Sequence, residues 1–464
     1  MHDRLRSARI QNHLASGQII NIANKMLSVL NKDLVEHNKR TAYIAFLIFQ
    51  NYKMPEKCTL SNLVFLALYH TIGFFRTDYL YNVEDFDFSK LFSDENFIKD
   101  KYVYGSYYLE YMTHLEEDAR ALKYFHRDFI SGESDVSYIL SYKEVIYFSA
   151  RMAFYFAQNK DAEFPRDLNE LAPNKFNPEI VSTFEKINKD NFIWNKLKTG
   201  EYELYIANII NTFHFSKEIN QKIQKILVYF LDFKSTSTFK HAINTACFAL
   251  SLGYRVSLTE EELQVLFTSA ILHDVGKIAI PEKILESPKK FTPEEFEIMK
   301  KHVEYSKEII KDYVSQEVVD AVYRHHEKLD GSGYPDHLTA KDLTPIQKII
   351  TVADILSALL DSRSYKHEYS QEKTFKILSA MSFDGEIDPF VTEFIITDFN
   401  DILNELASLQ EDFKANYNSV ISKINDYVFR HYYYKNADSD LETLESLEDI
   451  EGLEELEELE IVEE

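Results

Sequence analysis

The chain has 464 residues, with 76 Asp and Glu against 51 Lys and Arg, a formal net charge of -25, and 45% apolar residues. That length and composition allow two or three domains with filled cores and exclude a wholly disordered chain. The charge argues against a nucleic-acid binder that works through overall positive potential, but leaves open an enzyme acting on a nucleotide.

The N-terminal stretch MHDRLRSARIQNH lacks the apolar core of a secretion signal. The apolar runs near Tyr43–Phe49 and Cys247–Leu252 are too short to span a membrane. Cys58 and Cys247 are the only cysteines, as in a protein from a reducing compartment. A cytoplasmic location is expected. Gly and Pro are sparse, and Leu, Ile, Phe and Tyr recur every three or four residues, which predicts an all-α protein.

Residues 185–230 read as amphipathic connecting helices. Thr259 before Glu260, Glu261 and Glu262, and Thr292-Pro293 before Glu294 and Glu295, read as helix starts with acids in the first turn. Helical patterns follow over 260–274 and 316–326. Residues 392–437 read as closing helices. From Asp438 to Glu464 there are 14 acidic residues and no Lys or Arg, more than half the charge imbalance. Apolar residues there recur every third position, from Leu441 to Val462. That period drifts by about 60° per step around an α-helix and makes no single seam, so a disordered tail is expected.

The chemically informative block lies between 241 and 391. It holds His241, LHDVGKIAIP (272–281), His302, HHEKLDGSGYP (325–335), VADILSALLDSRSYK (352–366) and IDPFV (387–391). A lone His-Asp pair is weak evidence. The ordered set, with the whole DGSGYP hexapeptide, resembles the HD-GYP family, a branch of the HD phosphohydrolase superfamily. Imidazoles and carboxylates without thiolate suit iron, manganese, nickel or zinc.

The resemblance implies a helical HD fold and two divalent or mixed-valence metal ions, with iron or manganese expected and nickel or zinc as alternatives. It implies that Asp274 bridges them, with His241, His273 and Asp354 on one ion and His302, His325 and His326 on the other. Lys277 is expected to reach the scissile phosphate or the nucleophile. Tyr334, Arg363 and Lys366 are the expected substrate contacts, although Ser364 and Lys366 depart from the family's Arg-x-Tyr-Arg segment. Some relatives carry a third metal, helped by a glutamate four residues before the first histidine. Ser237 stands there, which favours two metals. Ser306 replaces a usual glycine four residues after His302. The implied activity is hydrolysis of cyclic di-GMP to pGpG, which some members of the family carry on to GMP. The alternatives are a slow cyclic di-GMP sensor or scaffold, and a hydrolase of another cyclic dinucleotide.

An internal repeat is also expected. His37 matches His241, and YHTIG (69–73) matches LHDVG (272–276). FNPEIVSTF (176–184) echoes IDPFVTEF (387–394). Thr71 stands for Asp274, Lys101 for His302, Phe125 for His325 and Ser149 for Asp354, so this copy has lost most ligands. The expected organisation is a degenerate HD-like domain at 1–190, a connector at 191–230, the catalytic domain at 231–437 and the tail at 438–464. The first domain would regulate, dimerise or bind a signalling partner. No nucleic-acid polymer and no membrane span are expected.

Overall fold

The computed structural model describes residues 14–75, 95–125, 129, 138–160, 168, 175–287, 289–361 and 369–437. Their regular elements are all helices, and among them the only extended pairing is an isolated bridge between Asp330 and Thr339. The all-α expectation holds. The acidic tail and residues Arg363 and Lys366 lie outside the described residues.

In the N-terminal half the helices are α1 (Ser16–Leu30), α2 (Lys32–Asn51), α3 (Leu60–Tyr69), α4 (Glu95–Met112), α5 (Tyr138–Gln158) and α6 (Pro178–Ile187). Next come α7 (Phe192–Thr199), α8 (Tyr202–Asn211) and α9 (Lys217–Asp232). The C-terminal half holds α10 (Thr236–Arg255), α11 (Glu260–Leu272), α12 (Glu282–Leu285), α13 (Pro293–Lys300), α14 (His302–Ile310) and α15 (Gln316–Tyr323). It ends with α16 (Pro345–Leu360), α17 (Gln371–Phe383), α18 (Pro389–Thr397) and α19 (Phe399–Ala437). Residues Met1–Tyr417 form one compact unit, and Asn418–Glu464 a second whose described part is helix.

The helix starts follow from local chemistry. Thr259, Thr292 and Thr344 each accept a hydrogen bond from the backbone N–H three residues on, and Glu262, Glu295 and Gln347 return one to the cap. Each box satisfies two N–H groups that a helix end would otherwise leave unpaired.

Helix α10 packs between α11 and α16. Ala242, Ala246 and Ala249 are fully buried along it. A Cβ on Gly253 would lie 2.7 Å from a Leu266 methyl and 2.8 Å from one of Leu263, so these leucines fill the space a side chain would take. Arg255, at the end of α10, has a buried side chain that binds Glu405 at 2.8 Å and Asp398 at 2.9 Å, tying the start of α19 to α10.

In the first half, α2 packs on α3 and α5 in the same way. Helix α1 contacts α2, α8 and α9, and also the tight turn Val275–Ala279 and α14. Gln18 Nε2 donates to the Tyr313 carbonyl at 2.6 Å, and Lys25 reaches Asp312 at 3.2 Å. An N-terminal helix thus backs the segment that follows His273 and Asp274.

Candidate metal centre

Helix α11 stops at Leu272, with His273 at its C-cap. The chain then tightens into the turn Val275–Ala279, which swings Lys277 back until its Nζ lies 2.6 Å from Asp274 Oδ2. The helix does not continue to Lys277, so the turn, rather than helical spacing, brings it to Asp274. The turn needs Gly276, because a Cβ there would sit 2.1 Å from the His302 carbonyl oxygen.

Asp274 is fully buried, and its two oxygens face different imidazoles. Oδ2 lies 3.2 Å from His273 Nε2 and 3.7 Å from His241 Nε2. Oδ1 lies 3.4 Å from His302 Nε2 and 3.9 Å from His325 Nε2. Asp354, on α16, sits 2.8 Å from His241 Nε2 and 3.5 Å from His326 Nδ1. All seven expected ligands converge. Two groups have ligand atoms close enough to share one ion: His241, His273 and Asp274, and His302, His325 and His326.

The rings are fixed from behind. His273, His302 and His325 place Nδ1 at 2.7 Å from the carbonyls of Ala270, Met299 and Val322, which leaves each Nε2 facing inward. His241 is held differently, with Asp361 Oδ2 at 3.1 Å and Ser357 Oγ at 2.9 Å from its Nδ1. Asp361 also accepts from Asn244 Nδ2. Ser306 Oγ donates to the His273 carbonyl and accepts from the Gly276 N–H, both at 2.8 Å, so the serine in place of a glycine laces the His-Asp turn to α14.

The electrostatics suit cation binding. Burial lowers His302 to about 3 and His326 to about 4, and holds His325 well below its ordinary value. These rings are neutral at pH 7 and keep a lone pair for a metal. Burial alone would raise Asp274, but His273 and Lys277 hold it well below the usual carboxylate range. Burial would lower His241, yet hydrogen bonds with Asp354 and Asp361 lift it to about 9. His273 Nε2 and Asp274 Oδ1 are buried without a hydrogen-bond partner. Two such orphaned atoms within one buried cluster fit divalent cations better than a satisfied core.

The DGSGYP segment forms one wall. Gly331 has φ +80°, and a Cβ on Gly333 would lie 2.3 Å from the Lys328 nitrogen. Buried Glu327 accepts from the N–H groups of Asp336 at 2.6 Å and Leu338 at 3.0 Å, pinning the loop. Tyr334 thereby rests its ring 4.8 Å from that of His326. Near Ser237, Glu286 supplies a carboxylate 3.4 Å from the serine hydroxyl.

The sequence reading passed over Asp361, Ser357 and Asn244. Their signal was helical spacing. Ser357 and Asp361 follow Asp354 by three and seven residues, and Asn244 follows His241 by three, which puts supports on the ligand faces.

A family model described as HD domain matches residues 225–391. Residues 225–391 form an HD domain. Its Asp330–Pro335 hexapeptide and its relatives put it in the HD-GYP branch. The 3'3'-cGAMP-specific phosphodiesterase 2 of Vibrio cholerae is 34% identical over 221 residues, 45% of this chain and 42% of its own. The cyclic di-GMP phosphodiesterase response regulator RpfG of Xanthomonas campestris is 38% identical over 129 residues, 27% of this chain and 34% of its own. The chain thus spans less than half the length of either relative. In fold, the chain is similar to the crystal structure of a cyclic GMP-AMP specific phosphodiesterase of V. cholerae, with TM-score 0.51 and 16% identity. That likeness covers 86% of this chain and 98% of the other, well beyond the HD domain itself. Among the described residues, no helix is long and apolar enough to cross a membrane.

Proposed function

We propose that this chain is a metal-dependent phosphodiesterase that opens a cyclic dinucleotide, with cyclic di-GMP as substrate and pGpG as first product. The observation that carries the reading is Asp274, whose two oxygens each face a separate imidazole group. His241, His273 and Asp354 would hold one ion with Asp274 Oδ2, and His302, His325 and His326 the other with Oδ1. Ions held there would supply a hydroxide nucleophile at neutral pH and offset charge on the phosphoryl oxygens. The water oxygen bonds to phosphorus, the bond to the 3′-oxygen breaks, and that oxygen leaves with a proton. Lys277 keeps Asp274 ionised and adds a positive charge beside the reacting phosphate. Tyr334 offers its ring as a wall beside His326. Arg363 and Lys366 supply cations for the phosphates or guanine edges.

A second reading takes 3'3'-cGAMP as the substrate. It is favoured by the 34% identity over 221 residues to a phosphodiesterase named for that nucleotide. The test is anaerobic turnover of both cyclic dinucleotides side by side, with metal content measured on the same sample and Asp274→Ala as control. The leading reading expects about two metals per chain, faster opening of cyclic di-GMP, and loss of product in the variant. Faster opening of 3'3'-cGAMP selects the second reading. A fully metallated chain that binds but opens neither nucleotide would be a sensor.

The repeat supports a tandem arrangement, with a degenerate HD-like domain at 1–190 and the catalytic one at 231–437. His70 Nδ1 lies 2.8 Å from the Ala67 carbonyl, as His273 lies 2.7 Å from that of Ala270. The His37 and His70 rings are 5.2 Å apart, against 5.6 Å for His241 and His273. Where the HD domain sets further ligands, the first half has Tyr102 and Phe125, their rings 4.6 Å apart and both near His70. Aromatic packing has replaced the metal shell there, and the fold it supported remains.

A further inference from the structure

The N-terminal half carries a cleft of about 560 Å³ that shares no lining residue with the histidine cluster. Arg40 of α2, Phe156 of α5, Lys160 just past it, Lys198 of α7 and Tyr202 of α8 line it. Its size suits a mononucleotide.

Arg40 is the centre of the argument. Its guanidinium carbon lies 5.6 Å from the Phe156 ring centroid and 5.7 Å from that of Tyr202, so two aromatic rings set its orientation. The side chain is 13% exposed, and its Nε is buried with no hydrogen-bond partner. Its one ion pair among the described residues is a 3.8 Å approach to Glu36. That carboxylate already accepts from the Tyr202 hydroxyl at 2.6 Å and from Lys39 at 3.1 Å. Lys39 also answers Glu203, at 3.6 Å. Lys160 and Lys198 form no ion pair among the described residues. Both acids of the cleft are therefore taken, while three cations bordering it keep donors to spare.

On a chain of net charge -25, such a cluster is not a by-product of a basic surface. A guanidinium held by aromatic rings, in a cleft that two lysines also line, offers the charge and donors that a phosphate group needs. We propose that this cleft binds the phosphate of a mononucleotide-sized organic phosphate, at a site separate from the metal centre.

The sole tryptophan reports on the site. Trp194 lies one turn before Lys198 on α7, and its ring sits 4.9 Å from that of Phe156. The experiment titrates the full chain with GMP, guanosine and inorganic phosphate, following heat, equilibrium dialysis and Trp194 emission. Lys160→Ala/Lys198→Ala is the variant, since both lysines lie at the cleft rim and their loss leaves the core intact. The expected result is saturable GMP binding with a matching change in emission, weaker binding of phosphate, and none of guanosine. The double variant weakens GMP binding on the order of tenfold or more, the loss of one or two charge-assisted hydrogen bonds. If phosphate alone competes as well as GMP, the site takes the free ion and the organic ligand is overturned. Guanosine binding equal to GMP, an unchanged affinity in the double variant, or no GMP retained in dialysis would each overturn the proposal.

Discussion

Asp361 Oδ2 lies 3.1 Å from His241 Nδ1, on the opposite edge of the ring from Asp354, whose Oδ1 is 2.8 Å from Nε2. Among the cluster's histidines, His273, His302 and His325 instead set Nδ1 against backbone carbonyls. A carboxylate acceptor fixes the ring tautomer and makes the imidazole a stronger donor to a cation.

Asp361 accepts from His241, Ser357 and Asn244 together, which needs two acceptor oxygens and no donor. Asp361→Asn turns one of those oxygens into an NH₂ group facing a donor. The expected outcome is metal affinity lower by about 10- to 100-fold, with near-normal KM once metal is saturating. Competition against a chromogenic chelator measures it. An affinity within twofold of the parent would show that Asp361 merely packs.

Gly276 and Gly73 make a matched pair. A Cβ on Gly276 would meet the His302 carbonyl oxygen at 2.1 Å, and one on Gly73 the Lys101 carbonyl oxygen at 2.0 Å. Either alanine must push a helix away, at a cost of about 1–3 kcal/mol or more by overpacking. Gly276→Ala displaces α14 and with it His302, so stability and bound metal should fall together. Gly73→Ala should lower the melting temperature and leave metal per folded chain unchanged. Metal analysis beside thermal melts separates the two. Metal loss in Gly73→Ala would mean that the first half reaches the cluster.

Why the ligands were legible and their supports were not follows from the kind of signal each leaves. His273-Asp274, His325-His326 and the hexapeptide are contiguous, so order along the chain announces them. The helix class was equally plain, because periodic apolar residues and Thr-x-x-Glu caps are local. The end of α11 at Leu272 was not plain, since nothing between Ile271 and Ile278 breaks a helix except Gly276, whose role depends on a carbonyl 26 residues further on. Ser306 looked like a departure at the glycine position. In three dimensions it is a clasp, bonded to both the His273 carbonyl and the Gly276 N–H. Glu327 depends likewise on a loop path that no spacing rule predicts.

Two buried histidines of the first half set an acid limit on its stability. Burial lowers His70 to about 4, partly opposed by the Ala67 carbonyl. Burial, with Lys222 adding to it, lowers His114 to about 4. Well above pH 6.5 both groups are neutral whether the chain is folded or not, and they cost nothing. Between pH 6.5 and about 4 the unfolded chain takes up protons that the folded chain refuses, so stability falls as pH falls. Each group contributes a slope of up to about 1.4 kcal/mol per pH unit in that window. Urea midpoints of the full chain should therefore drop from pH 7 to pH 5. In His70→Gln/His114→Gln the midpoint at pH 7 is lower, because packing and the bonds to Ala67 and Asn62 are lost, but the drop on acidification is smaller. The slope decides the matter, not the level. Equal slopes in parent and variant would mean that these two rings are already protonated, or exposed, in the folded chain.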